Sequence, residues 1–175
     1  MRNSSNSFEK ELFRLLIIGK KERFIHLNDF CDELEKKGVK TKLIDDMQFL
    51  NKTFEVNFKS RIEKNLQIKQ ILKDFQPDFV LFDRVSKVTN IVLKQNIPII
   101  ILLRGNFWEE ARIAKENTNS KIKKFAIEKN IKLVENCYKN SSLILPISEY
   151  LFSEIRKRYP KNSIELFPGD GIIPE

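Results

Sequence analysis

The sequence predicts an α/β domain built on a mostly parallel sheet. Three observations predict it. Short apolar runs recur along the chain, such as Leu15 to Ile18 and Ile99 to Leu103. Segments with helical apolar spacing alternate with those runs. The runs are nearly continuous, as strands are when helices cover both faces of a sheet. Strand–helix–strand order needs crossover connections, and these give parallel strands in a three-layer sandwich. At 175 residues, 41% hydrophobic and 32% charged, the chain has the material for one ordinary core.

Residues 1–12 are polar and read as a flexible N-terminal segment; the domain is expected over 13–170. Arg14 to Gly19 is the first strand. Phe24, Leu27, Cys31 and Leu34 then recur at helical spacing, and Gly38 stands where the helix should stop. Val39 to Ile44 (VKTKLI) alternates as a second strand closed by Asp45 and Asp46. After an irregular stretch near 47–58, Ser60 to Glu63 has the pattern of a capping box opening a helix through Phe75. Phe79 to Phe82 is the third strand. Ser86 caps a short helix to Leu93, and Pro98 introduces the most apolar strand, Ile99 to Leu103. Residues 107–119 read as a loop or short helix, and a long helix runs from Lys121 to about Asn140. A strand over Leu143 to Ile147, a helix capped by Ser148 and a sixth strand, Ile164 to Phe167, complete the order.

Several classes are excluded. No apolar run approaches the roughly 20 residues that span a bilayer. The start, MRNSSNSFEKELF, is not a secretory signal. Cys31 and Cys137 lie far apart on apolar helix faces, so a reducing, cytoplasmic setting is expected. There is no dinucleotide glycine fingerprint, no phosphate-binding P-loop and no nucleophile elbow. His26 is the only histidine and has no ligand partners at metal spacing, so no metal is expected.

The net charge of +8 has two readings: a Lys, Asn and Ile bias of the source, or an anionic partner. Between Arg112 and Asn140, eight basic residues face three acidic ones. A helix carrying Lys121, Lys123 and Lys124 beside apolar neighbours suits an anionic membrane surface; a solvated outer face is the plainer reading. Aromatics are not interleaved with the lysines, which disfavours nucleic acid.

In open parallel sheets ligands bind beyond the carboxyl ends of the strands. That rule selects the turn Gly19-Lys20-Lys21-Glu22-Arg23, the pair Asp83–Arg84, the turn Arg104–Gly105–Asn106 with Trp108 behind it, Ser148 and Glu149, and the tail Pro168 to Gly171 with Gly169. Each has a structural alternative. Gly19 suits a tight turn, Asp83–Arg84 a solvated turn, Arg104 a loop brace, Trp108 a core anchor, and Ser148 a helix cap.

Six stretches resemble family 4 glycosyltransferases. Ser142-Leu-Ile-Leu-Pro-Ile-Ser148-Glu149-Tyr150-Leu151 resembles their strand ending in a Ser-Glu cap. Arg158-Tyr159-Pro160 and then Ile164 to Ile172 resemble the strand that leads into their proline-rich turn. Glu22-Arg23, Gly38-Val39 and Gln76-Pro77-Asp78-Phe79-Val80 resemble earlier crossovers. The resemblance implies one half of a GT-B enzyme, in which two Rossmann-like domains face each other across a cleft. The N-terminal, acceptor-side domain would be residues 13–170, with 171–175 starting a linker to an absent donor domain. It implies hexosyl transfer from a nucleotide-sugar to a glycan or lipid-linked acceptor, as in polysaccharide biosynthesis, with no tightly bound cofactor and no turnover by this chain alone. The nucleotide-sugar is expected only with the C-terminal domain. Departures fall in the first loop, where only Gly19 matches a glycine pair. Arg104 also stands where a histidine is usual, and the final turn reads Pro168-Gly169-Asp170-Gly171. The alternative is a non-catalytic module that binds an anionic membrane or a partner protein.

Overall fold

A computed structural model describes residues 13–49 and 58–167. Five strands form one fully parallel sheet: β1 (Phe13–Gly19), β2 (Val39–Asp45), β3 (Phe79–Phe82), β4 (Ile99–Leu103) and β5 (Leu143–Pro146), in the order β2-β1-β3-β4-β5. Six helices connect and follow them: α1 (Phe24–Lys36), α2 (Phe58–Phe75), α3 (Lys87–Leu93), α4 (Phe107–Glu116), α5 (Lys121–Lys139) and α6 (Glu149–Arg158). The predicted α/β architecture is the one observed.

The strand order explains how the helices divide. The first crossover moves from β1 outward to β2, and every later one moves the other way. Right-handed crossovers therefore put α1 on one face and the rest on the opposite face. The cores agree. Leu15, Ile17 and Leu81 pack with Leu27 and Cys31 of α1. Leu16, Ile18, Val80, Phe82, Ile99 and Ile101 pack with side chains of α2, α3, α5 and α6. Alternate residues of one apolar run thus feed two cores, which is why β1 reads as continuous. Strand β2 is an edge, and its outward Lys40 and Lys42 keep it soluble.

Local signals account for most of the boundaries. Gly38 has φ 82°, the left-handed conformation that ends α1 without a Cβ penalty. Ser86 accepts from the Val88 amide while Thr89 reaches back to the Ser86 amide, closing a capping box on α3. Two expectations need correction, and one open choice between loop and helix is decided. Helix α2 begins at Phe58, so Ser60 lies inside its first turn, where helical backbone rules out an N-cap role. Residues 107–116 are a full helix, because Asn106 caps it and Glu109 and Glu110 suit its first turn. The sixth strand is reduced to one bridge, Ile164 to Ile144, with the Phe167 amide donating to the Pro146 carbonyl at 2.9 Å beyond it. The flexible-segment and linker expectations for 1–12 and 171–175 fall outside the described residues.

Candidate functional site at the carboxyl edge

The direction of the chain reverses between β1 and β3, which makes their carboxyl ends the switch point of the sheet. Gly19 ends β1 and Asp83 follows β3, and the Asp83 amide donates to the Ile18 carbonyl at 3.0 Å. A Cβ at Gly19 would sit 2.9 Å from Leu27 Cδ1 and 3.1 Å from Asp83 Cβ. Glycine is needed there for close approach, not for unusual torsion.

Asp83 has a fully buried side chain. A buried carboxylate is tolerated only when paired, and here two arginines pair it. Arg23, at the head of α1, donates from Nη1 to Oδ2 at 3.2 Å. Arg104, after β4, donates from Nε to Oδ1 at 2.6 Å. Asp83 therefore ties three carboxyl ends together, those of β1, β3 and β4. Its sequence neighbour Arg84 turns the other way. Arg84 grips buried Asp46 at the end of β2 through Nε at 3.0 Å and Nη2 at 3.3 Å, a two-point contact.

The adjacent pair Asp83–Arg84 is thus neither a pair nor a solvated turn. The two residues sit in the bend after β3, and each finds its own partner. Arg104 is the brace of its structural alternative, 17% exposed against Asp83. Arg23 and Arg84 are more open, at 41% and 37%, and keep further N–H donors for solvent or a ligand. The strand-end rule selects the turn that holds Arg23, and Asp46 closes β2, but the sequence gives neither of them its partner. A charged residue directly after a strand was the available signal for Asp46, and its place in the turn after β1 was the signal for Arg23.

The remaining residues form the rim. Lys20 Nζ lies 4.0 Å from Glu22. Asn106 caps α4 by accepting from the Glu109 amide at 3.1 Å, and its Nδ2 donates to the Tyr150 hydroxyl at 2.7 Å. That contact links the mouth of β4 to the head of α6 and brings in Tyr150. A Cβ at Gly105 would meet only the mobile end of Glu110, so the turn does not demand glycine for space. Ser148 is a cap, accepting from the Leu151 amide at 3.3 Å, with Glu149 exposed in the first turn. Gly169 lies outside the described residues.

Trp108 belongs elsewhere. Its ring lies 5.5 Å from Tyr138 and 6.2 Å from Tyr159, with the Arg158 guanidinium 4.5 Å from its centroid. These contacts join α4 to the ends of α5 and α6, so Trp108 packs as a core anchor. An open depression of about 520 Å³ lies beside it, lined by Lys132, Glu135, Lys139, Arg158 and Tyr159 among others. Burial pushes the Tyr159 hydroxyl up to about 12 and raises Tyr138 further, so neither phenol ionises near neutrality. Among the described residues, no three His, Cys, Asp or Glu side chains gather to hold a metal ion.

No protein-family model and no curated protein matches the chain. Solved structures match its fold. A UDP-N-acetylglucosamine 2-epimerase aligns with a TM-score of 0.58 at 14% identity, over 88% of this chain and 47% of its own. The UDP-GlcNAc 2-epimerase of Methanocaldococcus jannaschii gives 0.56 at 17% identity, and the UDP-N-acetylglucosamine 2-epimerase of Rickettsia bellii 0.54 at 16%. Each covers 87% of this chain and 44% of its own. The chain therefore spans about half the length of these proteins. At such identities the likeness shows the fold alone: a Rossmann-like half domain of the GT-B type.

Proposed function

We propose that this chain is the acceptor-side half of a GT-B glycosyltransferase of the family 4 kind, moving a sugar from a nucleotide-sugar to a glycan or lipid-linked acceptor. The observation that carries this reading is the Asp83 clamp at the switch point of a GT-B-type half domain. Two buried carboxylates fix three guanidinium groups at the carboxyl edge, and Arg23 and Arg84 keep donors open to a ligand. Fixed, partly open guanidinium donors suit a polyhydroxyl acceptor that carries phosphate or diphosphate.

In this reading Gly19, Lys20, Arg23, Arg84, Arg104, Asn106 and Tyr150 shape the acceptor end of a cleft. A second domain, on the same polypeptide or another, holds the nucleotide-sugar. The chain supplies orientation, and no catalytic residue is assigned within it. The family 4 assignment rests on the strand-cap and turn motifs; the fold neighbours support a sugar-nucleotide setting in general.

Amide NMR titration tests it. Phosphorylated sugars are expected to shift the amides of Gly19, Lys20, Asp83, Arg84 and Arg104 to Asn106 at lower concentration than UDP or UDP-N-acetylglucosamine. Tight UDP-sugar binding at those amides would make this the donor half. Sugar transfer by the 175-residue chain alone would overturn the half-enzyme reading.

A further inference from the structure

Helix α5 has 19 residues and is about 28 Å long, whereas β5, to which it returns the chain, spans about 13 Å. Its buried residues are Val134, Cys137 and Tyr138, all in the second half; none of 121–133 is buried. Helix α4 leaves directly from the end of β4, and Lys115 of α4 pairs with Glu128 of α5 at 2.7 Å. The two helices thus form a hairpin whose tip overhangs the carboxyl edge of the sheet.

That overhang carries apolar side chains in water. Ile122 is 82% exposed and Phe125 59%, and Ile113 of α4 is exposed as well. Ile122, Phe125 and Lys129 follow an i, i+3, i+7 spacing and so share one stripe. Lys129 Nζ lies 4.6 Å from the centre of the Phe125 ring. The carboxylates nearby are already engaged: Glu109 and Glu116 by Arg112, and Glu128 by Lys115. Among the described residues no carboxylate neutralises Lys121, Lys123 or Lys124.

We infer that the α4–α5 tip docks on an anionic lipid bilayer, with Ile122 and Phe125 entering the headgroup boundary and Lys121, Lys123, Lys124 and Lys129 facing lipid phosphates. Charge complementarity selects this occupant. A second copy would set lysines against lysines across a two-fold contact. A nucleic acid backbone would answer the charge but leave Ile122 and Phe125 without an apolar partner. A bilayer surface answers both. The inference goes beyond the sugar-transfer reading and does not need it: docking is read without sugar or nucleotide present.

Vesicle flotation tests it. The chain is expected to float with phosphatidylglycerol-containing phosphatidylcholine vesicles, to stay behind with pure phosphatidylcholine, and to be released by salt. Lys121→Glu, Lys123→Glu and Lys124→Glu together should weaken binding at least about a hundredfold, since each basic residue near the surface is worth roughly fivefold. Ile122→Ser with Phe125→Ser should weaken it while the melting temperature stays unchanged. Equal flotation with neutral vesicles, no flotation with anionic ones, or wild-type binding by the Ile122/Phe125 variant overturns the proposal. So does a stable dimer in sedimentation that the same two substitutions dissolve.

Discussion

The carboxyl edge of this domain holds two departures from ordinary partition, and they run in opposite directions. At the switch point a charge sits inside: the Asp83 carboxylate has no exposed side-chain surface. At the α4–α5 tip an apolar side chain sits outside, Ile122 at 82%. The first is compensated within the molecule, because Arg23 and Arg104 close on both carboxylate oxygens. The second has no compensation among the described residues. An internally balanced anomaly is a structural brace before it is anything else. An unbalanced one points to something outside the chain.

The largest effect expected is on the brace. Asp83→Ala leaves two guanidinium groups without their carboxylate, one of them 17% exposed, and should cost about 3–5 kcal/mol in urea unfolding. A cost below about 1 kcal/mol would mean that water already carries those charges and that the clamp is not a brace. Gly19→Ala comes next. The new methyl meets Leu27, which can yield, and the Asp83 Cβ, which is held from both sides; about 1–3 kcal/mol is expected. The two substitutions touch the same atoms, so their costs should not add; simple additivity in a double-mutant cycle would separate Gly19 from the clamp.

A smaller effect concerns pH. Burial pushes the Cys137 thiol up to about 12 from an ordinary 9.0, and Tyr159 up to about 12 from 10.0. Above pH 9 the unfolded chain releases these protons while the folded chain keeps them. Stability should therefore be intact below pH 9 and fall as the pH climbs towards 12. Cys137→Val should flatten that decline in pH-dependent urea melts, and an unchanged slope would remove Cys137 as its cause. The smallest effect on stability is expected at the tip. Ile122→Ser should stay within about 0.5 kcal/mol of wild type by thermal melting, since it packs on nothing the fold needs. A larger loss would show that the tip is covered and erase the contrast with Asp83.

Much of the fold was legible. The apolar runs, Gly38 after α1 and Ser86 before α3 are local signals, read out by local backbone chemistry. Ser60 misled because a capping-box pattern is not unique to helix starts, and the helix had already begun at Phe58. The candidate site was only half legible. Gly19, Asp83 and Arg104 were selected by a rule about strand ends, but their contacts join residues 60 and 21 positions apart. The turn holding Arg23 was selected by the same rule, but nothing local pairs Arg23 with Asp83, and Trp108, near the mouth of β4 in sequence, turns instead towards Tyr138 and Tyr159.

The sequence by itself determined the parallel α/β class and the buried faces carrying Cys31 and Cys137, because periodicity and end signals act over a few residues. Tertiary structure alone decided which guanidinium meets which carboxylate: Arg84 with Asp46, and Asp83 with Arg23 and Arg104. The strand order β2-β1-β3-β4-β5 brings those ends together, and a buried charge accepts whichever partner the topology delivers.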